Sequence, residues 1–137
     1  VPLPETLIAA NPDFYLDYTL RSWIGKPDAI SSEALHEYRR CFRKLSVIQA
    51  ACADYRAGLS VDVEHDRADR AARRVIECPM LAMWAAQRTD GRVYDPLQIW
   101  QRWAGTVQGL EIDCGHFLME EAPEATSTAL IEFFREL

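Results

Sequence analysis

The sequence has no apolar run approaching the ~20 residues that a membrane-spanning helix needs, and no charged start leading into the apolar stretch of a secretory leader. It also has no block of basic residues: 15 Lys and Arg stand against 21 Asp and Glu, a net charge of −6. That balance argues against nucleic-acid binding as a main function and against adhesion to an anionic membrane. No C-x-x-C pair occurs. Cys41, Cys52, Cys78 and Cys114 are scattered, so neither a zinc site nor a disulfide framework is indicated, and a reducing cytoplasm is the expected compartment. Repeats and low-complexity segments are absent. So is an initiator methionine: the chain opens on Val1-Pro2-Leu3-Pro4-Glu5 and reads as a piece cut from something longer.

What is present is a chain of 137 residues, 49% hydrophobic, the size of one compact domain with a core. Residues 1–12 read as an extended, proline-punctuated lead into a helix from Pro12 to Ile24. Gly25-Lys26-Pro27-Asp28 is a turn signal, and Ser31-Ser32-Glu33 offers N-cap chemistry. Leu35, Tyr38, Phe42, Leu45, Ile48, Cys52 and Tyr55 then recur at helical steps, predicting one long amphipathic helix bent near Lys44-Leu45-Ser46, with Gly58 as its stop. Cys41 and Cys52 fall on one face of it and read as small core residues. Asp62 to Arg74 is densely charged and reads as a solvated helix with ion pairs.

The texture changes at Val75. Cys78 to Trp84 is short, apolar and proline-bounded, as expected of a buried parallel strand. Asp95-Pro96 caps a helix carrying Leu97, Ile99, Trp100 and Trp103. A second strand, Val107 to Ile112, leads into Asp113-Cys114-Gly115-His116, and a final helix with Pro123 in its first turn buries Ala125, Ala129, Leu130, Phe133 and Phe134. The chain therefore divides into an all-helical region, residues 1–74, and a strand–helix–strand–helix region, residues 75–137, the end of a doubly wound α/β sheet. Two parallel strands leave both faces and an edge without cover, so further strands are expected from elsewhere.

His116 stands on the loop after the second strand, beside a glycine that lets the backbone turn tightly. Imidazoles titrate near neutrality, so a histidine there suits acid–base work; the alternative is a surface histidine without a role. A hydrolytic site also needs a nucleophile and a group that orients the base, and no Gly-flanked Ser, Asp or Cys elbow is found. Cys114 lies two residues from His116, a spacing better explained by packing at the strand end. Asp90 stands where an orienting acid often sits, and equally in a Thr89-Asp90-Gly91 turn. Tyr55, at the end of the long helix, offers a phenol that could donate to an anion, although its spacing also fits a core aromatic. Trp84, Trp100 and Trp103 read as core. Glu64-His65-Asp66 points three ways and suits a solvated face better than a metal; His36 is a helix-surface histidine.

In Cys114-Gly115-His116-Phe117-Leu118-x-Glu120-Glu121-Ala122-Pro123-Glu124 the sequence resembles the haloacetate (fluoroacetate) dehalogenases of the α/β-hydrolase superfamily. Pro12-Asp13-Phe14-Tyr15, Glu37-Tyr38-Arg39, Asp54-Tyr55-Arg56-Ala57-Gly58, Glu64-His65-Asp66 and Asp95-Pro96-Leu97-x-x-Trp100 match the family's wording in the family's order, over essentially the whole chain. The histidine-loop motif alone is shared with epoxide hydrolases; the other words are more specific. The resemblance implies the carboxy-terminal part of an α/β-hydrolase fold: a helical cap and the last two core strands. It implies a small haloacid substrate and no metal or cofactor. An aspartate displaces halide and forms an ester, which histidine-activated water hydrolyses.

On this resemblance His116 matches the water-activating base and Tyr55 the cap tyrosine that hydrogen-bonds the leaving halide. The nucleophile, the oxyanion hole, the substrate-binding arginines, the orienting acid and a His-Trp pair would lie upstream of Val1. Asp90 is thereby demoted to a loop residue. A homodimer of the full-length protein stays open. One departure is Met83-Trp84-Ala85-Ala86, where the family has Gly after Trp; the extra methyl is expected to be mildly destabilising at a tight strand exit. An epoxide hydrolase-like enzyme and a non-catalytic chain that needs a partner are the rival readings.

Overall fold

Pro2 and Pro4 do not hold the start of the chain extended. In the computed structural model, which describes residues 2–86 and 94–137, Pro2 caps helix α1 (Leu3–Ala10) and Pro4 sits in its first turn. The first amides of a helix have no partner within it, so a missing N–H there costs nothing and the fixed φ of proline favours the helix. Helix α2 (Pro12–Trp23) follows after Asn11. The single long helix expected next is two, α3 (Ser32–Phe42) and α4 (Leu45–Ala57). Lys44 leaves helical geometry (φ −76°, ψ 123°) and its carbonyl accepts from the amides of Val47 and Ile48. The apolar stripe survives this break because its spacing is set by packing on both sides, which periodicity alone cannot distinguish from continuity. Cys41 and Cys52 thus sit on different helices, both half-buried. Ser31 does cap α3, accepting from the Ala34 amide at 3.1 Å.

Two compact units are separable. One comprises Val1–Ser22 and Ile30–Arg73; the other comprises Trp23–Ala29 and Arg74–Leu137. In the first, α1 packs on α4, with Ile48 1% exposed and Glu5 2% exposed. Arg56, in the last turn of α4, reaches the buried Glu5 carboxylate at 2.6 Å. Helices α2 and α3 are joined by two ion pairs, Asp17 with Arg39 and Asp13 with Arg43, and by the stacked rings of Tyr15 and Phe42, 5.9 Å apart. Helix α5 (Val61–Ala72) closes the unit, its residues largely exposed as their charge demands.

The second unit holds a two-stranded parallel sheet. Strand β1 (Met80–Ala85) pairs with β2 (Val107–Ile112) in the register Met80↔Val107 through Ala85↔Ile112. Helix α6 (Pro96–Trp100) joins them and packs on both, Gly109 leaving room for the Trp84 ring and Leu97. The sequence predicts buried strands, yet only Ala82 and Ile112 are buried in them. A strand in a pair has one neighbour, and most of its surface stays open. Neither Ala85 nor Ala86 adopts a positive φ, so the expected methyl-group strain at the strand exit is not imposed by the backbone. After β2 come a short turn of helix, α7 (Leu118–Glu121), and α8 (Pro123–Arg135). Phe133 is buried on α8 and Ala129 half-buried, whereas Ala125 and Leu130 are exposed and Phe134 is 66% exposed, against the expected core list. The other buried residue of α8 is Thr126, whose hydroxyl donates to the Leu118 carbonyl.

Asp95 caps α6 as its Asp-Pro sequence predicts, accepting from the Gln98 amide at 3.2 Å. Asp95→Ala should therefore lower stability by about 1 kcal/mol, read as a shifted urea midpoint; an unchanged midpoint would deny the cap any role.

Candidate functional site

The loop that leaves β2 is built around a point where two backbones nearly touch. Cys114 is fully buried, and a methyl group on Gly115 would fall on the Gly25 amide nitrogen, 2.6 Å from Gly25 Cα and 2.8 Å from Glu121 Oε1. Only glycine fits that approach. Immediately after it, His116 is exposed. Its amide donates to the carbonyl of Trp23, the last residue of α2, at 3.2 Å. The imidazole packs against the Trp23 indole, centroids 4.8 Å apart at 56°, and edge-on against Phe117, 5.1 Å apart at 86°. Two aromatic walls and a tethered backbone restrict its rotamers while leaving it open to solvent.

Among the described residues of this unit Glu121 is the buried charge, 6% exposed. Oε2 accepts from the amides of Gly25 (2.9 Å), Lys26 (2.8 Å) and Gly115 (2.9 Å), and Oε1 accepts from Phe117 (3.0 Å). Lys26 Nζ donates to the Glu121 carbonyl at 3.2 Å. Burial alone would raise the carboxyl pKa, but the amides of Phe117, Gly115, Lys26 and Gly25 outweigh it and hold the group below its ordinary value. Cys114 goes the other way: burial first, then the Glu121 carboxylate, push its thiol up. It is a packed, protonated side chain and no nucleophile.

The sign of the Glu121 shift gives a pH dependence. A depressed carboxyl pKa adds stability that is fully present above the unfolded value of ~4.3 and is lost as pH falls through the folded one. Asp13, held down first by its hydrogen bond from Arg43, titrates in the same direction. The informative quantity is thus a difference: wild type should lose more stability than Glu121→Gln between pH 6 and about pH 3. Parallel curves for the two proteins would contradict this.

The other sequence candidates are dispersed. Tyr55 lies in the last turn of α4, in the first unit, 66% exposed, beside the Arg56 that anchors that turn on Glu5. Asp90 lies outside the described residues. Trp84 donates from Nε1 to Glu111, its partner in the sheet register, at 3.0 Å. His36 and His65 are exposed on α3 and α5, and among the described residues no three His, Cys, Asp or Glu side chains gather as a metal site. No described helix is long and apolar enough to cross a membrane. Sequence reasoning missed Trp23, Lys26 and Glu121. The turn words around Gly25 and the paired acids after the histidine were the available signals, but only the fold brings them together.

Comparison with known proteins adds what geometry alone does not. No protein-family model matches the chain. The fluoroacetate dehalogenase of a Burkholderia species is 29% identical over 136 residues, which are 98% of this chain and 44% of that protein. The soluble epoxide hydrolase of Corynebacterium sp. (strain C12) is 29% identical over 134 residues, 96% of this chain and 44% of its own length. Among solved structures, a provisionally assigned alpha/beta hydrolase from Nostoc sp PCC 7120 superposes with a TM-score of 0.90 at 46% identity, covering 96% of this chain and 45% of that one.

The chain has the fold of the carboxy-terminal part of an α/β hydrolase. Helices and two parallel strands are the share of that hydrolase fold seen here. A provisionally assigned epoxide hydrolase from Pseudomonas aeruginosa matches the same way, with a TM-score of 0.89 at 43% identity over 98% of this chain and 45% of that one. The chain spans less than half the length of each of these relatives. In this chain the His116 loop follows β2, the last described strand.

Proposed function

We propose that this chain is part of a hydrolytic dehalogenase of short 2-haloacids, with residues 1–74 as the helical cap region and 75–137 as the last strand–helix–strand–helix of the core. His116 is its water-activating base and Tyr55 a donor to the departing halide. An aspartate supplied by other chain displaces the halide and becomes an ester; water attacks the ester carbonyl while His116 takes its proton, and 2-hydroxyacid is released. The observation that carries this is the presentation of His116: an exposed imidazole at the carboxyl end of a parallel strand, walled by Trp23 and Phe117 and set on a loop with no slack. No metal or cofactor enters the scheme.

The 43% identity to a provisionally assigned epoxide hydrolase favours a second reading, in which the aspartate opens an epoxide to a hydroxyalkyl ester and Tyr55 with Tyr38 protonates the epoxide oxygen. The protein expressed from its complete gene separates the two. Halide release from chloroacetate or fluoroacetate with no diol from styrene oxide supports the dehalogenase; the reverse pattern replaces it. The 137-residue chain alone should release no halide, since no nucleophile elbow is written in it.

A further inference from the structure

We infer that Glu121 is the positioning residue for His116: its buried carboxylate fills a ring of four backbone amides and so fixes both the histidine loop and the aromatic wall on which the imidazole rests. The inference deepens the reading of His116 as the base and rests on it for its catalytic meaning. A glutamate serving only its own helical turn would satisfy amides at that turn's start, and the Phe117 amide is of that kind. The other three donors are not. Gly115 precedes His116 by one residue and Phe117 follows it by one, so the carboxylate holds the backbone on both sides of the histidine. Gly25 and Lys26 follow Trp23 by two and three residues, so the same oxygen that holds Gly115 also holds the segment carrying the indole. Lys26 Nζ closes the arrangement on the Glu121 carbonyl.

One carboxylate therefore ties the three things that determine where the imidazole points: the residue before it, the residue after it and the ring beneath it. Hydrogen bonds from amides to a buried carboxylate are among the strong ones, and with four donors an unfilled ring would leave amides unsatisfied. The carboxylate does not touch a reacting atom in this scheme. It acts through His116.

The test reads the imidazole itself, using the complete protein labelled with 13C at histidine ring carbons. His36 and His65 lie on exposed helix faces of the other unit and serve as internal controls; His36→Gln, His65→Gln and His116→Gln assign these three resonances among those of the complete protein. Glu121→Gln and Glu121→Ala should each shift and broaden the His116 resonance and leave the other two in place. Formate, a free carboxylate, should return it toward its wild-type position in Glu121→Ala, where it can enter the emptied ring, more than in Glu121→Gln. Turnover in both variants should fall about 10- to 100-fold in kcat with little change in KM.

A His116 resonance unmoved in both variants overturns the inference. So does loss of the His36, His65 and His116 resonances together that formate does not reverse, which would make Glu121 a folding residue only. Absence of any dehalogenation in wild type would sink the reaction assigned to the site, yet the resonances would still report whether Glu121 positions His116.

Discussion

Gly115→Ala should destabilise the fold by about 3 kcal/mol or more. Its Cβ would fall on the Gly25 amide nitrogen, with Gly25 Cα at 2.6 Å and Glu121 Oε1 at 2.8 Å. Two of these three atoms are main chain and cannot swing away as a flexible side chain would. Relief requires the 25–26 segment to move off the loop, which takes the Gly25 and Lys26 amides from Glu121 and leaves a buried carboxylate short of donors. Overpacking and lost hydrogen bonds thus act together. Gly105 is the matched control, because a methyl group there meets nothing within 4 Å. Urea denaturation of both variants decides the matter: a Gly115→Ala midpoint as close to wild type as that of Gly105→Ala would show that the approach is not tight.

The second large effect concerns turnover. If water is activated by His116, His116→Gln in the complete protein should lower steady-state turnover by about 10³-fold while leaving the first displacement possible. The distinctive sign is a trapped ester: after exposure to a haloacetate, the intact-protein mass should rise by one carboxymethyl group, together with one equivalent of released halide. Wild-type turnover in the variant, or a dead variant that traps no ester, would exclude this role. The exposed setting of His116 makes the substitution a mild one for folding, since the loop is held by the Gly115, Phe117 and Trp23 backbones and not by the imidazole.

Much of the architecture was legible in the residues because it depends on local chemistry. Asp95-Pro96 announced the start of α6, Ser31 the start of α3, and the apolar run from Val107 to Ile112 matches β2. The errors have equally local causes. Pro2 and Pro4 read as breakers although proline is welcome in a first helical turn, and a stripe running through Lys44 concealed a break because packing maintained its phase. The apolar face of α8 was read as buried, but Leu130 and Phe134 on it are 37% and 66% exposed: amphipathicity shows which face is apolar, not whether anything lies on it.

For the site, His116 stood out because a glycine and a strand end flag it. Glu121 did not. Its meaning lies in amides of Gly25 and Lys26, which no spacing rule connects to it, and a buried carboxylate beside an exposed one at Glu124 carries no mark in the sequence.

That long connection also sets an order of events. The hydrogen bonds from Gly25 and Lys26 to Glu121 close separations of 96 and 95 residues, whereas the turns of α3 and α4 need only their neighbours. Helices form in about a microsecond or less, but a contact across most of the chain must first overcome the closure entropy of everything between. During synthesis, the amides at 25 and 26 have left the ribosome long before their acceptor exists. The helical unit can therefore mature early while the histidine loop stays unset, and the imidazole acquires its fixed direction only among the last steps of folding.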